Sequence, residues 1–299
     1  MIVGDMVAYL HFVVLPQVID GLIIGVALAL VALGLTMIFG LLDVINLAHG
    51  EIYMIGGYAA LTLIGWGGGY WGAIVLVPAI AGLAGWLLEE TGVRPLLPRG
   101  DRAVVTLLLT FGVSLVLRDL AQVVFGTETY SIAAPVSGVT FFAGVPVPLY
   151  RVLVLAIGAA AVVLTWWLVY RTRIGAVLRA TAADPDMTAS FGIPIRLVYG
   201  ATFFYGCALA GLAAVLLGPI YAVFPTMGHD FLVLAFAVVI VGGMGSILGA
   251  VVAALLLAQV HGLASLWIPP VWAETLVYGA MLMVLIVRPA GLFSRIGDA

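Results

Sequence analysis

Apolar runs of membrane-spanning length, each ended by a short polar or glycine-rich interruption, repeat along nearly the whole chain. Residues 21–42 carry no charge, and at about 1.5 Å per helical residue they cover the roughly 30 Å hydrocarbon core of a bilayer. Further runs occupy 52–66, 70–88, 103–117, 152–170, 197–224, 231–260 and 275–287. They lack the two-residue alternation of a barrel strand, which predicts helices instead. The pattern predicts an all-α, polytopic helical membrane protein of about eight spans, forming a single transmembrane domain over 1–299. Two undersized, glycine-broken segments, 40–66 and 231–249, predict broken or re-entrant helices.

The first break, DVINLAHGEIYMIGGYAA at 43–60, puts Asp43, Asn46, His49 and Glu51 between apolar runs, and Asn46 is the sole asparagine. Polar groups at such depth are costly and normally face a bundle interior or an aqueous path. If the segment is helical, Asp43, Asn46 and His49 share one side and Glu51 points elsewhere. One histidine without cysteine or a second ligand pair is a poor metal site. Two readings stay open: residues that hold the break and line a pathway, or a proton relay. The second break, VGGMGSILGA at 241–250, has no charge; it is either a true interruption of a span or a site of close helix packing.

Arginine placement sets the topology. The loops 89–102 and 171–196 are arginine-rich and read as cytoplasmic, as does the tail with Arg288 and Arg295. The segment 119–150 has no arginine and reads as external or surface-lying. A cytoplasmic tail requires that 231–242 enter and 247–267 leave around the glycine break.

Composition narrows the chemistry. Residues are 65% hydrophobic and 8% charged, with a mean hydropathy of +1.28. All basic residues are arginine, so the chain has no Walker A phosphate loop and no Schiff-base lysine. A lone Cys207 allows no internal disulfide. No HExxH, GxSxG or paired-aspartate constellation points to an intramembrane enzyme, and His11, His229 and His261 have no close partners in sequence.

The loop 171–196 reads as two short helices. GAVLRATAADP forms one; DPDMTASFG forms the second, with Pro185 in its first turn and Gly192 closing it. Ala180, Ala182, Ala183, Met187, Ala189 and Phe191 give this knob a more apolar surface than a loop needs, which suggests a docked partner protein.

VINLAHGEIYMIGGYAA, RPLLPRGDR at 94–102, TRIGAVLRATAADPDMTASFGIP at 172–194, ALAGLAAVLLGPIYAVFPTMG at 208–228, VVIVGGMGSILGAVVAALLL at 238–257 and VRPAGLF at 287–293 together resemble a known family. It is that of the permease subunits of bacterial branched-chain amino-acid ABC importers, and the chain looks closer to the LivH type than to the longer LivM type. The resemblance implies a non-catalytic, multi-pass subunit of the bacterial inner membrane. Its implied partners are a second, LivM-like permease, two LivG/LivF-like ATPases that use ATP and Mg, and a periplasmic amino-acid-binding protein. No nucleic acid and no cofactor of its own are implied. The knob would be the ATPase-coupling loop, with Arg179, Ala180, Asp184, Pro185, Asp186, Ala189, Gly192 and Ile193 as its residues. Asp186 and Gly192 hold the family's glutamate and glycine, whereas its two alanines are Met187 and Thr188 here. Asp43, Asn46, His49, Gly50 and Glu51, with Gly242, Gly243, Gly245 and Ser246, would line the translocation path or hold the breaks. Relatives in the same family serve urea or short amides, which is the alternative substrate; a self-sufficient proton-coupled transporter is the alternative mechanism.

Overall fold

The computed structural model describes residues 9–96 and 102–293. Residues 97–101 of the first arginine loop, and Arg295 in the tail, lie outside the described residues.

Among the described residues nine helices make up a bundle: α1 (Leu15–Leu42), α2 (His49–Gly65), α3 (Gly69–Leu88), α4 (Arg102–Phe125), α5 (Leu149–Arg171), then, after two short helices, α8 (Ile195–Leu217), α9 (Met227–Gly242), α10 (Ile247–Ala264) and α11 (Pro270–Val287). The short pair is α6 (Arg173–Ala183) and α7 (Pro185–Ser190). Six of the described helices are long and apolar enough to cross a membrane; α2 and α9, at 17 and 16 residues, are shorter. The expectation of about eight spans falls between those six and the nine. This is a polytopic all-α membrane protein.

Burial sorts the helices. The most apolar stretches of α1 and α8 are 78% and 72% buried against 11% for α4, so the first two form the axle and α4 the rim. Small residues let the axle close up: a Cβ at Gly206 of α8 would stand 2.7 Å from the Gly34 carbonyl of α1.

Polar contacts pin each end. At one end Arg151 pairs with Asp20, Gln17 Nε2 donates to Ser265 Oγ at 3.0 Å, and Tyr130 and Val223 exchange backbone bonds. The Tyr70 hydroxyl donates to the Val215 carbonyl at 3.0 Å and that of Tyr150 to the Leu216 carbonyl at 2.6 Å, serving two of the carbonyls left open where α8 ends. At the other end Arg94 pairs with Glu89 and Glu90 and donates to the Arg196 carbonyl. Arg94, Arg171, Arg173, Arg179, Arg196 and Arg288 gather there, which makes it the cytoplasmic end. The chain therefore enters α1 from the outer side.

Three boundaries differ from the sequence expectation. The run expected to stop at Arg118 continues as α4 to Phe125, because Arg118 and Asp119 sit near its outer end, Nε to Oδ1 3.8 Å apart. α8 stops at Leu217, not 224. Within the external segment a hairpin forms, β1 (Val139–Phe142) against β2 (Val145–Pro148), with Val139 opposite Pro148. Ala143 and Gly144, both at positive φ, make the two-residue turn that matches strand twist.

Candidate functional site

α1 ends in a left-handed residue, Asp43 (φ 53°), whose N–H reaches the Phe39 carbonyl at 2.9 Å. From there residues 43–48 are not helical, yet they run back among the helices. Thr110 of α4 holds them: its Oγ1 accepts from Leu47 N–H at 3.1 Å and lies 3.0 Å from the Ile45 carbonyl. Irregular backbone at this depth persists only where protein or a cavity satisfies it. Asn46 Oδ1 accepts from Ala48 N–H at 3.1 Å, closing a local turn just before α2 starts.

The break therefore overturns the shared helical side expected for Asp43, Asn46 and His49. Asp43 is exposed, whereas Asn46, His49 and Glu51 are buried. His49 reaches toward α1 and α8: Nε2 lies 3.1 Å from the Val31 carbonyl, so it carries the ring proton, and Nδ1 lies 4.0 Å from Cys207 Sγ. Glu51 turns the other way. Its Oε1 accepts from Ser114 Oγ of α4 at 3.4 Å; its Oε2 and the Asn46 Nδ2 have no partner among the described residues. Gly50 sits where α2 crosses the start of α9, against the Gly228 backbone. Among the described residues no group of three His, Cys, Asp or Glu side chains could hold a metal ion.

One contributor escaped sequence reading. Thr106, Thr110 and Ser114 recur every four residues and so share one side of α4; Thr110 and Ser114 touch the break. The spacing of four was the available signal.

The second break lies elsewhere. Gly243 (φ 99°) and Gly245 (φ 81°) turn the chain after Gly242, and Ser246 caps α10 by accepting from Gly249 N–H at 3.1 Å. This turn is at the cytoplasmic end: Leu292 and Phe293 donate to the carbonyls of Val241 and Gly242. It borders a cavity of about 490 Å³ with Thr36, Arg179, Ala183 and Phe293. Gly242, Gly243, Gly245 and Ser246 are thus not brought beside Asn46, His49 and Glu51, because α9 completes its passage before the glycines.

The two helices expected in 171–196 form, with Thr172 and Asp184 as caps, the latter accepting from Met187 N–H at 2.8 Å. Pro185 opens α7 and Gly192 (φ 79°) follows its end. Arg179 donates to the Val169 carbonyl and lies 5.7 Å from the Tyr170 ring centre, tying α6 to α5. Ala180, Asp186 and Ala189 are exposed and Ile193 is half-buried, while Met187 and Phe191 project from the surface. Of the histidines without sequence partners, His11 packs edge-on to Phe12, His229 is exposed and His261 lines a cavity near the outer end.

Residues 17–286, which take in both breaks and the α6–α7 pair, match the model of the family described as branched-chain amino acid transport system / permease component. The chain belongs to that permease family. It is 31% identical to the high-affinity branched-chain amino acid transport system permease protein LivH of Escherichia coli K12, over 96% of this chain and 97% of the relative. It is also 31% identical to BraD of Pseudomonas aeruginosa, over 94% and 96%. The LivM permease of Escherichia coli K12 is 29% identical over 88% of this chain but only 67% of its own length, so the permease is the more LivH-like in extent. No solved structure matches the chain.

Proposed function

We propose that this permease subunit moves branched-chain or other hydrophobic amino acids inward across the bacterial inner membrane as half of a permease pair. A periplasmic binding protein delivers the substrate, and two ATPase subunits, using ATP and Mg, dock on α6 and α7. The observation that carries this reading is the capped helix pair at the cytoplasmic end, with Met187 and Phe191 projecting from it, on a chain with no lysine to cradle a nucleotide. An apolar surface outside the bundle at that end suits a protein partner. The names of the LivH and BraD relatives support the substrate class.

In this reading 1–299 is one permease domain and no step of catalysis occurs on it. Asn46, His49, Gly50 and Glu51 hold and line the break through which the substrate passes. Gly242, Gly243, Gly245 and Ser246 form the cytoplasmic hinge beside the coupling helices, and Asp43 stands at its rim. Co-purification tests the reading: the tagged chain is expected to bring down an ATPase and a second permease, and liposomes holding the set to take up leucine only with ATP. A chain that never associates with an ATPase, or uptake that survives ATP depletion, contradicts it.

A further inference from the structure

Near the outer end, between α1, α9, α10 and α11, lies a cavity of about 240 Å³. Its wall is apolar and includes Leu28, Phe231, Leu234 and Val277. Asp230, His261 and Glu274 complete the lining. Each of these three stands within about a turn or so of the outer end of its helix, at the start of α9, the end of α10 and the start of α11. Among the described residues the Asp230 and Glu274 carboxylates have no hydrogen-bond or ion-pair partner, although Arg151, at the same end, is paired with Asp20.

Size and charge define an occupant. The volume is below the roughly 300–1,000 Å³ of sites for drug-sized ligands, so it suits one small molecule. The Asp230 and Glu274 carboxylates, both on exposed residues, attract a cation and disfavour an anion. The apolar wall takes an aliphatic or aromatic side chain. Tyr221, also in the lining, offers a hydroxyl donor to a carboxylate.

A second observation gives the site a direction. Two residues before Asp230, Gly228 abuts Glu51, whose buried Oε2 has no partner among the described residues. One turn of α9 thus links the cavity to the break between α1 and α2.

We infer that this cavity is the first station within the membrane for the transported amino acid, with its α-ammonium between Asp230 and Glu274 and its side chain against Leu234 and Phe231. The inference rests on the amino-acid reading above. The test uses liposomes with the complete importer: this chain, its partner permease, the ATPases and the binding protein. Failure of the unmodified importer to take up leucine removes the amino-acid reading itself. Given uptake, Leu234→Phe fills the cavity, and Asp230→Asn with Glu274→Gln neutralises its lining. Each is expected to cut leucine uptake roughly tenfold or more, with ATP hydrolysis still stimulated by the loaded binding protein. Uptake within about twofold of the unmodified importer in either assembled variant overturns the inference. A labelling experiment decides independently of assembly with the ATPases: leucine is expected to slow modification of Asp230→Cys by a membrane-impermeant thiol reagent, and glutamate is not. Equal labelling with and without leucine also overturns it.

Discussion

Gly50 and Gly228 meet backbone to backbone where α2 crosses the start of α9, and the Glu51 carboxylate lies in the same crossing. A Cβ at Gly228 would stand 2.6 Å from both the Gly50 carbonyl oxygen and Glu51 Oε2, closer than real Cβ contacts come. Gly228→Ala is therefore expected to destabilise the protein by about 1–3 kcal/mol through overpacking. Gly72→Ala, in α3 with nothing within 4 Å, is the control and is expected to be neutral or stabilising. Thermal unfolding of the detergent-solubilised chain checks both, and equal effects would contradict this account of the crossing.

Glu51 presents an opposition between stability and function. It is 2% exposed, one of its oxygens has no partner, and among the described residues no cation pairs with it. A buried carboxylate with one oxygen left unserved is costly to desolvate, and removing its charge relieves that cost. Glu51→Gln is expected to unfold at a higher temperature than the natural protein while leucine uptake by the assembled importer falls. A lower unfolding temperature would contradict this account of Glu51.

The proton-coupled alternative makes its own forecast, that the isolated chain transports and that neutral replacements at Asp43, His49 and Glu51 abolish a pH-driven component. An ATP-driven permease predicts no uptake by the chain alone in liposomes with an imposed pH gradient. Uptake there would favour the alternative.

His49 donates to the Val31 carbonyl inside the bundle, where both groups are buried. His49→Phe removes that side-chain donor and is expected to cost about 1 kcal/mol, read as a lower unfolding temperature. His49→Gln, which keeps a donor, is expected to recover part of the loss.

On the cytoplasmic side, Asp184 caps α7 through Met187 N–H. Asp184→Ala is expected to cost about 1 kcal/mol locally and to weaken ATPase association. Met187→Ser with Phe191→Ser removes only projecting apolar surface. It is expected to lower ATPase co-purification with little change in the unfolding temperature of the chain. Undiminished co-purification would move the docking surface elsewhere.

The short helices α6 and α7 were legible in sequence because their signals are local: Asp184, Pro185 and Gly192 each act within one turn of their own position. The course of 43–48 was not. Its turn depends on Asn46, but its position depends on Thr110, more than sixty residues away. A spacing of three suggested a helical side for Asp43, Asn46 and His49, and the left-handed residue at Asp43 cancels that periodicity. The glycines at 242–245 were visible as a break, yet their depth is set by where α9 starts, which the apolar run alone does not mark. Arg118 misled for a related reason, since a charge ends a hydrophobic run without ending the helix that carries it.

The Tyr70 and Tyr150 hydroxyls have a consequence for how α8 is built. Helices commonly close themselves with a glycine in the left-handed region, but Gly218 after Leu217 keeps right-handed angles. Carbonyls of the final turn are instead received by side chains from α3 and α5, whose own hydroxyls lie 2.7 Å apart. The length of this axle is thus measured by its neighbours, and a helix whose terminus is gauged from outside cannot slide along its axis without first releasing the pair that gauges it.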